Sequence, residues 1–332
     1  MDRREALKRM TATASGLLLP TGLVQAQEKK MLYGGWVSSP AARRAFVKQH
    51  RHPFFSQQSQ DIKGSSDGRI VMLNPFLAKA LGRPIAPRIQ EIGDCVGQAF
   101  ALGVDVLTAT QAFMLNRPER WVAECSAAAI YGGARVNIGG GVLGRRAGAN
   151  GHWAAEWLTR FGALLRQEYA GGHDFTDYSG ELSKRLGYEG IPAELEILAK
   201  LHPVKTVSLV TTFEQVCDAI ANGHPVSLCS SVGFGMTSDY WVRDSEGFLR
   251  RRGKWGHAML GIGMNRKSRR KGVCIQNSWG DWITGPTAHG QPRGSFWCDE
   301  STINSILAQG DCHALSGYVG YPRVDIPDYE IW

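Results

Sequence analysis

The sequence predicts an α+β fold, with a helical lobe followed by a sheet lobe. Three observations carry this. Between Cys95 and about Asn116, the apolar residues Val96, Ala99, Phe100, Val104, Leu107 and Met114 recur at steps that keep one helical face. After about residue 200 the period shifts towards two and β-branched residues gather. Late in the chain, Trp255-Gly256-His257-Ala258-Met259 is followed by Gln276-Asn277-Ser278-Trp279-Gly280, each phrase next to an apolar strand-like run. At 332 residues, with 43% hydrophobic and 20% charged residues, the chain is long enough for one large domain or two lobes with a substantial core.

Taken in order, residues 1–26 read as a bacterial export signal of the twin-arginine type. Arg3-Arg4 is followed by a weakly apolar stretch from Met10 to Val24, and Val24-Gln25-Ala26 offers a small-residue cleavage site. That stretch is too poor in apolar residues for a permanent membrane anchor, and no other run approaches the ~20 residues needed to span a bilayer. The expected location is therefore the periplasm or the outside of the cell. Residues 27–85 read as an irregular, polar N-terminal extension without an obvious long helix, so an inhibitory prosegment is not expected.

The main domain is expected over 86–325, its helical lobe at about 90–200 and its β lobe at about 201–325. Asp94 is placed to cap the helix that Cys95 opens. Further helices are expected at 124–131 and 153–161, separated by a glycine-rich loop from Gly132 to Gly144. In the second half, strands are expected at 204–210, 225–229, around Trp241, at 258–263 and at 273–276. A helix at 212–221 is expected to stop at Asn222-Gly223.

The formal net charge is +8, concentrated in Arg250-Arg251-Arg252-Gly253-Lys254 and Arg266-Lys267-Ser268-Arg269-Arg270-Lys271. Both clusters are expected in turns, as solvated hairpin ends. The functional alternative is a weak attraction to anionic surfaces. Nucleic acid is not an expected partner, because no binding module or aromatic-basic interleaving accompanies the charge. The seven cysteines permit disulfides plus one free thiol, and their spacing does not give a connectivity. No Cys/His spacing suits zinc, so neither a metal nor another cofactor is expected.

The chemistry is expected at Cys95, His257 and Asn277. A thiol attacks a carbonyl as thiolate, and a helix N-terminus beside an imidazolium lowers a cysteine pKa to roughly 3–7.5. Cys95 has the helix position, His257 would serve as base, and Asn277 would hold the ring. The backbone N–H of Cys95 and the side-chain amide of Gln90 would form the donor set for a tetrahedral oxyanion.

The order Gln90, Cys95, His257, Asn277 and the phrase Asn277-Ser278-Trp279-Gly280 resemble the papain-like cysteine peptidases over roughly residues 85–320. The resemblance implies a two-lobe fold with the cleft between the lobes, and a Cys-His-Asn peptidase acting on peptide or protein substrates. It implies that Trp279 shields the His–Asn hydrogen bond, and that Gly148-Ala149-Asn150-Gly151 lines the cleft through Asn150 and Gly151. Ala219-Ile220-Ala221 through Pro225-Val226-Ser227 is similar to a helix-to-strand passage of the family. The sequence departs from the family at the cysteine loop, Ile92-Gly93-Asp94-Cys95-Val96, where Ile92 replaces a disulfide cysteine and Gln90 lies one residue closer to the nucleophile. That alteration motivates the alternative of a catalytically inactive papain-like module that binds peptides or serves structurally. A cell-wall amidase or acyltransferase is a further alternative, although such enzymes usually place His or Asp third.

Overall fold

In a computed structural model, the described residues are 34–114, 123–235 and 241–329. The expected signal over 1–26 lies outside them. Among the described residues, no helix is long and apolar enough to cross a membrane.

A long helix, α3 (Cys95–Met114), runs through the middle of the protein, following α1 (Pro40–Gln49) and α2 (Asn74–Leu81). Fifteen of its residues are buried, from Cys95 to Thr110. One side faces the sheet, where Gly103 lies against Leu260 and Leu315. Another side meets α4 (Ala127–Gly132), and here the contact depends on the absence of a side chain. A Cβ on Gly97 would lie 2.4 Å from the Ala127 carbonyl oxygen and 2.9 Å from Tyr131 Cβ. Gly97→Ala is therefore expected to destabilise the protein by about 1–3 kcal/mol, since backbone must move to admit it. A urea unfolding midpoint within error of wild type would refute this close approach.

Helices α4, α5 (Gly151–Arg160), α6 (Gly180–Glu189) and α7 (Ala193–Ala199) complete the helical part, with a small hairpin of β2 (Glu168–Tyr169) and β3 (His173–Asp174). Ser126, Asn150 and Ser179 cap α4, α5 and α6, each side-chain oxygen accepting a first-turn N–H. The expected loop after Gly132 is instead helical as far as Ile138, in a wider i→i+5 turn. Arg135 explains this. It is buried, and its guanidinium donates to the carbonyls of Gly187, Gly148 and Gly144, tying the turn to its surroundings.

The second half is a seven-stranded sheet in the order β4-β9-β5-β6-β7-β8, with β1 (Ile70–Met72) also pairing to β6. The other strands are β4 (Thr206–Leu209), β5 (Val226–Phe234), β6 (Arg251–Asn265), β7 (Gly272–Gln276), β8 (Ser295–Asp299) and β9 (Cys312–Ser316). All the pairings are antiparallel. Helix α8 (Phe213–Ala221) ends where expected: Gly223 has φ +80° and the Gly223 and His224 N–H groups return to the last turn. Helix α9 (Glu300–Leu307) follows β8.

Four expectations need correction. Around Trp241 the described residues form no strand, only an isolated bridge from Val242 to Thr284. Residues 34–85 are not irregular: α1, α2 and β1 all fall there, and β1 extends the main sheet along β6 from Gly263 to Asn265. Helix α1 was hidden because it buries only Ala42 and Phe46, too few to set an apolar period. Arg251–Lys254 lie in β6 rather than in a turn, because β5 pairs alongside at Lys254 and Arg251 while the side chains stay exposed. Lastly, all seven cysteines are free and buried, packing as small apolar residues.

Candidate active site

Cys95 opens α3 and is fully buried. The backbone N–H groups of Ala258, Val96 and Trp36 lie near enough to its sulfur to favour the thiolate. Ala258 follows His257 on β6, so the sheet delivers the histidine strand directly to the start of the helix. Asn277 comes immediately after β7, the antiparallel neighbour of β6. His257 Nε2 lies 2.7 Å from Asn277 Oδ1, which also accepts the Ser278 N–H. With Nε2 donating to that oxygen, Nδ1 carries the ring's lone pair, and no hydrogen bond is made to it. Trp279 stacks on the imidazole with centroids 4.3 Å apart, backed by Trp255 and Trp282.

The electrostatics differ from the expectation of a lowered thiol pKa. Burial pushes the Cys95 thiol up to about 12 and the His257 imidazole down to about 4. Both groups are therefore neutral near pH 7, not an ion pair. Desolvation dominates both shifts and outweighs the helix N-terminus.

The desolvating element is the chain itself. Gly35 and Trp36 both donate their N–H groups to the Gly256 carbonyl, at 2.7 and 3.0 Å. Across from it, Val37 N–H donates to the Ala149 carbonyl and Ala149 N–H to the Gly35 carbonyl. Residues 34–37 thus bridge the histidine strand and the loop before α5, over Cys95. A prosegment-like cover was not expected from the sequence. Gly34-Gly35-Trp36 was its signal: two residues without side chains, then one large one.

Asn150 and Gly151 occupy the other wall. Asn150 donates from Nδ2 to the Val37 carbonyl while its Oδ1 caps α5, and Gly151 donates its N–H to Asp311 Oδ2. Asp311, from the turn before β9, was not singled out from the sequence. It also accepts the Trp36 indole N–H at 2.6 Å.

Two residues of the cysteine loop carry further bonds. Gln90 is turned to structural bonds: Nε2 donates to the Ile92 carbonyl and Oε1 accepts the Ser278 hydroxyl at 2.6 Å. It ties the loop before Cys95 to the strand end carrying Asn277. The Asp94 carboxyl does not serve the first turn of α3 as a cap. Oδ2 accepts the Ser183 hydroxyl and the Gln98 amide, and burial raises its pKa to about 6. A cavity of about 360 Å³ lined by Arg88, Glu91, Gln98, Arg166 and Tyr178 touches neither Cys95 nor His257.

Asn277→Ala removes the hydrogen bond that sets the ring. It is expected to lower kcat for peptide cleavage roughly tenfold, the equivalent of one buried hydrogen bond. KM would be little changed, and an unchanged kcat would remove Asn277 from the machinery.

No protein-family model matches the chain, and no curated protein matches it in sequence. Solved structures do match. Xylellain, a cysteine protease from Xylella fastidiosa, is similar with a TM-score of 0.57 at 18% identity, over 89% of this chain and 100% of that one. Procathepsin B S9 from Trypanosoma congolense is similar with a TM-score of 0.50 at 10% identity, over 88% of this chain and 87% of that one. With the antiparallel sheet, the helix opened by Cys95 and the His257–Asn277 pair in view, the chain has the fold of the papain-like cysteine proteases.

Proposed function

We propose that this protein is a cysteine-type peptidase that hydrolyses peptide bonds through Cys95, His257 and Asn277. The observation that carries the reading is the orientation of the imidazole. Nε2 is held by Asn277 at 2.7 Å, and Nδ1 is left without a hydrogen bond. That leaves the lone pair open to a thiol proton, with the Cys95–His257 hydrogen bond to be formed when a peptide binds. Attack of the sulfur on a peptide carbonyl would form a tetrahedral oxyanion at the start of α3, where the Cys95 N–H is the available donor. His257 would pass the thiol proton to the leaving amine, and water would then release the acyl group.

On this reading, the described state is latent, with residues 34–37 standing where a peptide would lie. The proposed setting is the periplasm or the outside of a bacterial cell, supported by the twin-arginine reading of residues 1–26. The test is incubation of the protein with an unfolded protein substrate and with an irreversible thiol-directed peptide inhibitor. Cleavage, and covalent labelling that maps to Cys95, are expected. Labelling spread over other cysteines, with no cleavage, would refute the proposal. The second reading, a non-hydrolytic peptide-binding module, is favoured by one observation: burial holds both the Cys95 thiol and the His257 imidazole in their neutral forms.

A further inference from the structure

We propose, on the cysteine-peptidase reading, that the cleft selects peptides carrying tryptophan at the residue seated beside Ala149, and that Asp311 is the specificity-determining residue. The covering segment shows how a peptide lies there. Trp36 is paired with Ala149 through the bonds of Val37 and Gly35, and its own N–H reaches the Gly256 carbonyl. The neighbouring position admits no side chain, since a Cβ on Gly35 would fall 2.0 Å from the Gly93 carbonyl oxygen. Trp36 is the residue whose side chain enters the pocket, where it is buried and its indole N–H meets Asp311 Oδ2.

Asp311 is a fixed acceptor. The same oxygen takes the Gly151 N–H at 2.9 Å, while His152 Nε2 and His313 Nδ1 face the other oxygen at 3.4 and 3.8 Å. Burial raises the Asp311 carboxyl to about 7, against the donors on it and the Arg43 guanidinium, which packs on Gly310 and favours its ionised form. A lysine or arginine side chain would bring a second cation beside Arg43. A neutral donor does not, and indole supplies one N–H on a flat apolar body. Phenylalanine or leucine would fill space but remove the indole donor, leaving Gly151 alone on a buried carboxyl whose other oxygen has no hydrogen bond, which is the costly case.

The test uses peptides that differ only at that atom: tryptophan against benzothienylalanine, in which sulfur replaces the indole N–H. They are assayed with the full chain carrying Trp36→Ala, which empties the pocket. The tryptophan peptide is expected to have kcat/KM roughly 10- to 100-fold higher, with lysine and leucine peptides below it. Asp311→Asn, added to that chain, is expected to narrow the ratio. Equal use of the two peptides, or preference for lysine, overturns the inference while leaving the peptidase reading intact. If no peptide is cut and Cys95 is not labelled, the peptidase reading fails. Fluorescence titration of the same two peptides then decides the pocket, equal affinities overturning it. Should Trp36→Ala not fold, the two peptides are compared as competitors of Cys95 labelling in the wild-type chain, where equal protection overturns it.

Discussion

Cys95→Ala is expected to lower kcat for peptide cleavage on the order of 10⁵- to 10⁶-fold while leaving the fold intact. On the proposed mechanism the sulfur is the attacking atom, so nothing at position 95 of the variant can form the acyl intermediate. What remains is whatever the oxyanion donors and peptide binding contribute without a nucleophile. Loss of activity alone would not separate chemistry from packing, because Cys95 is fully buried in the core around α3. The double variant does separate them. His257→Ala is expected to cost nearly as much as Cys95→Ala, since a thiol without its base is a poor nucleophile. The two together should cost no more than the worse single change, because the residues act as one unit. Stability should behave otherwise, with two packing losses that mostly add unless the sites couple. A double variant whose kcat falls by the product of the single effects would show that the residues do not act as a pair. Unfolding midpoints of all three proteins, measured alongside, show whether each remains folded.

How far the sequence goes can be argued residue by residue. The helix from Cys95 and the strands carrying His257 and Asn277 are legible because each has a period or a phrase of its own. The His257–Asn277 contact follows from them, since β6 and β7 are adjacent and antiparallel. The cysteine loop was legible in position but not in orientation. The orientation of the Gln90 amide is set partly by Ser278, 188 residues away, and no local rule carries that information. Helix α1 and strand β1 were missed for a related reason. Their stability comes from partners in the sheet and in α5, not from a pattern within themselves. The thiol pKa was misjudged because a helix N-terminus and an imidazole are visible in sequence, whereas the segment that excludes water from them is not. Asp311 had no signal at all. A single acid before a strand is ordinary until Trp36 is found donating to it.

Trp36→Ala is the change expected to raise reactivity most. The side chain is 8% exposed, donates to Asp311, and anchors the stretch that lies over Cys95. Truncating a buried tryptophan costs about 3–5 kcal/mol. Here the cost falls on the covered state, which depends on Trp36, more than on the uncovered one. A shift of about 3 kcal/mol corresponds to a roughly 150-fold change in the uncovered fraction, so alkylation of Cys95 at neutral pH should accelerate by about that factor. The pH dependence gives a second and independent readout. In the covered state burial holds the thiol up to about 12, so the alkylation rate of wild type should climb through the neutral and mildly alkaline range without levelling. In the variant, solvent reaches both the thiol and His257, and desolvation no longer penalises their charged forms. The titration should then move to lower pH and the rate should level near neutrality, as expected for a thiolate paired with an imidazolium at a helix N-terminus. A faster rate with an unmoved titration would mean that the segment blocks access without setting the charge state. An unchanged rate and titration would mean that residues 34–37 do not govern the site.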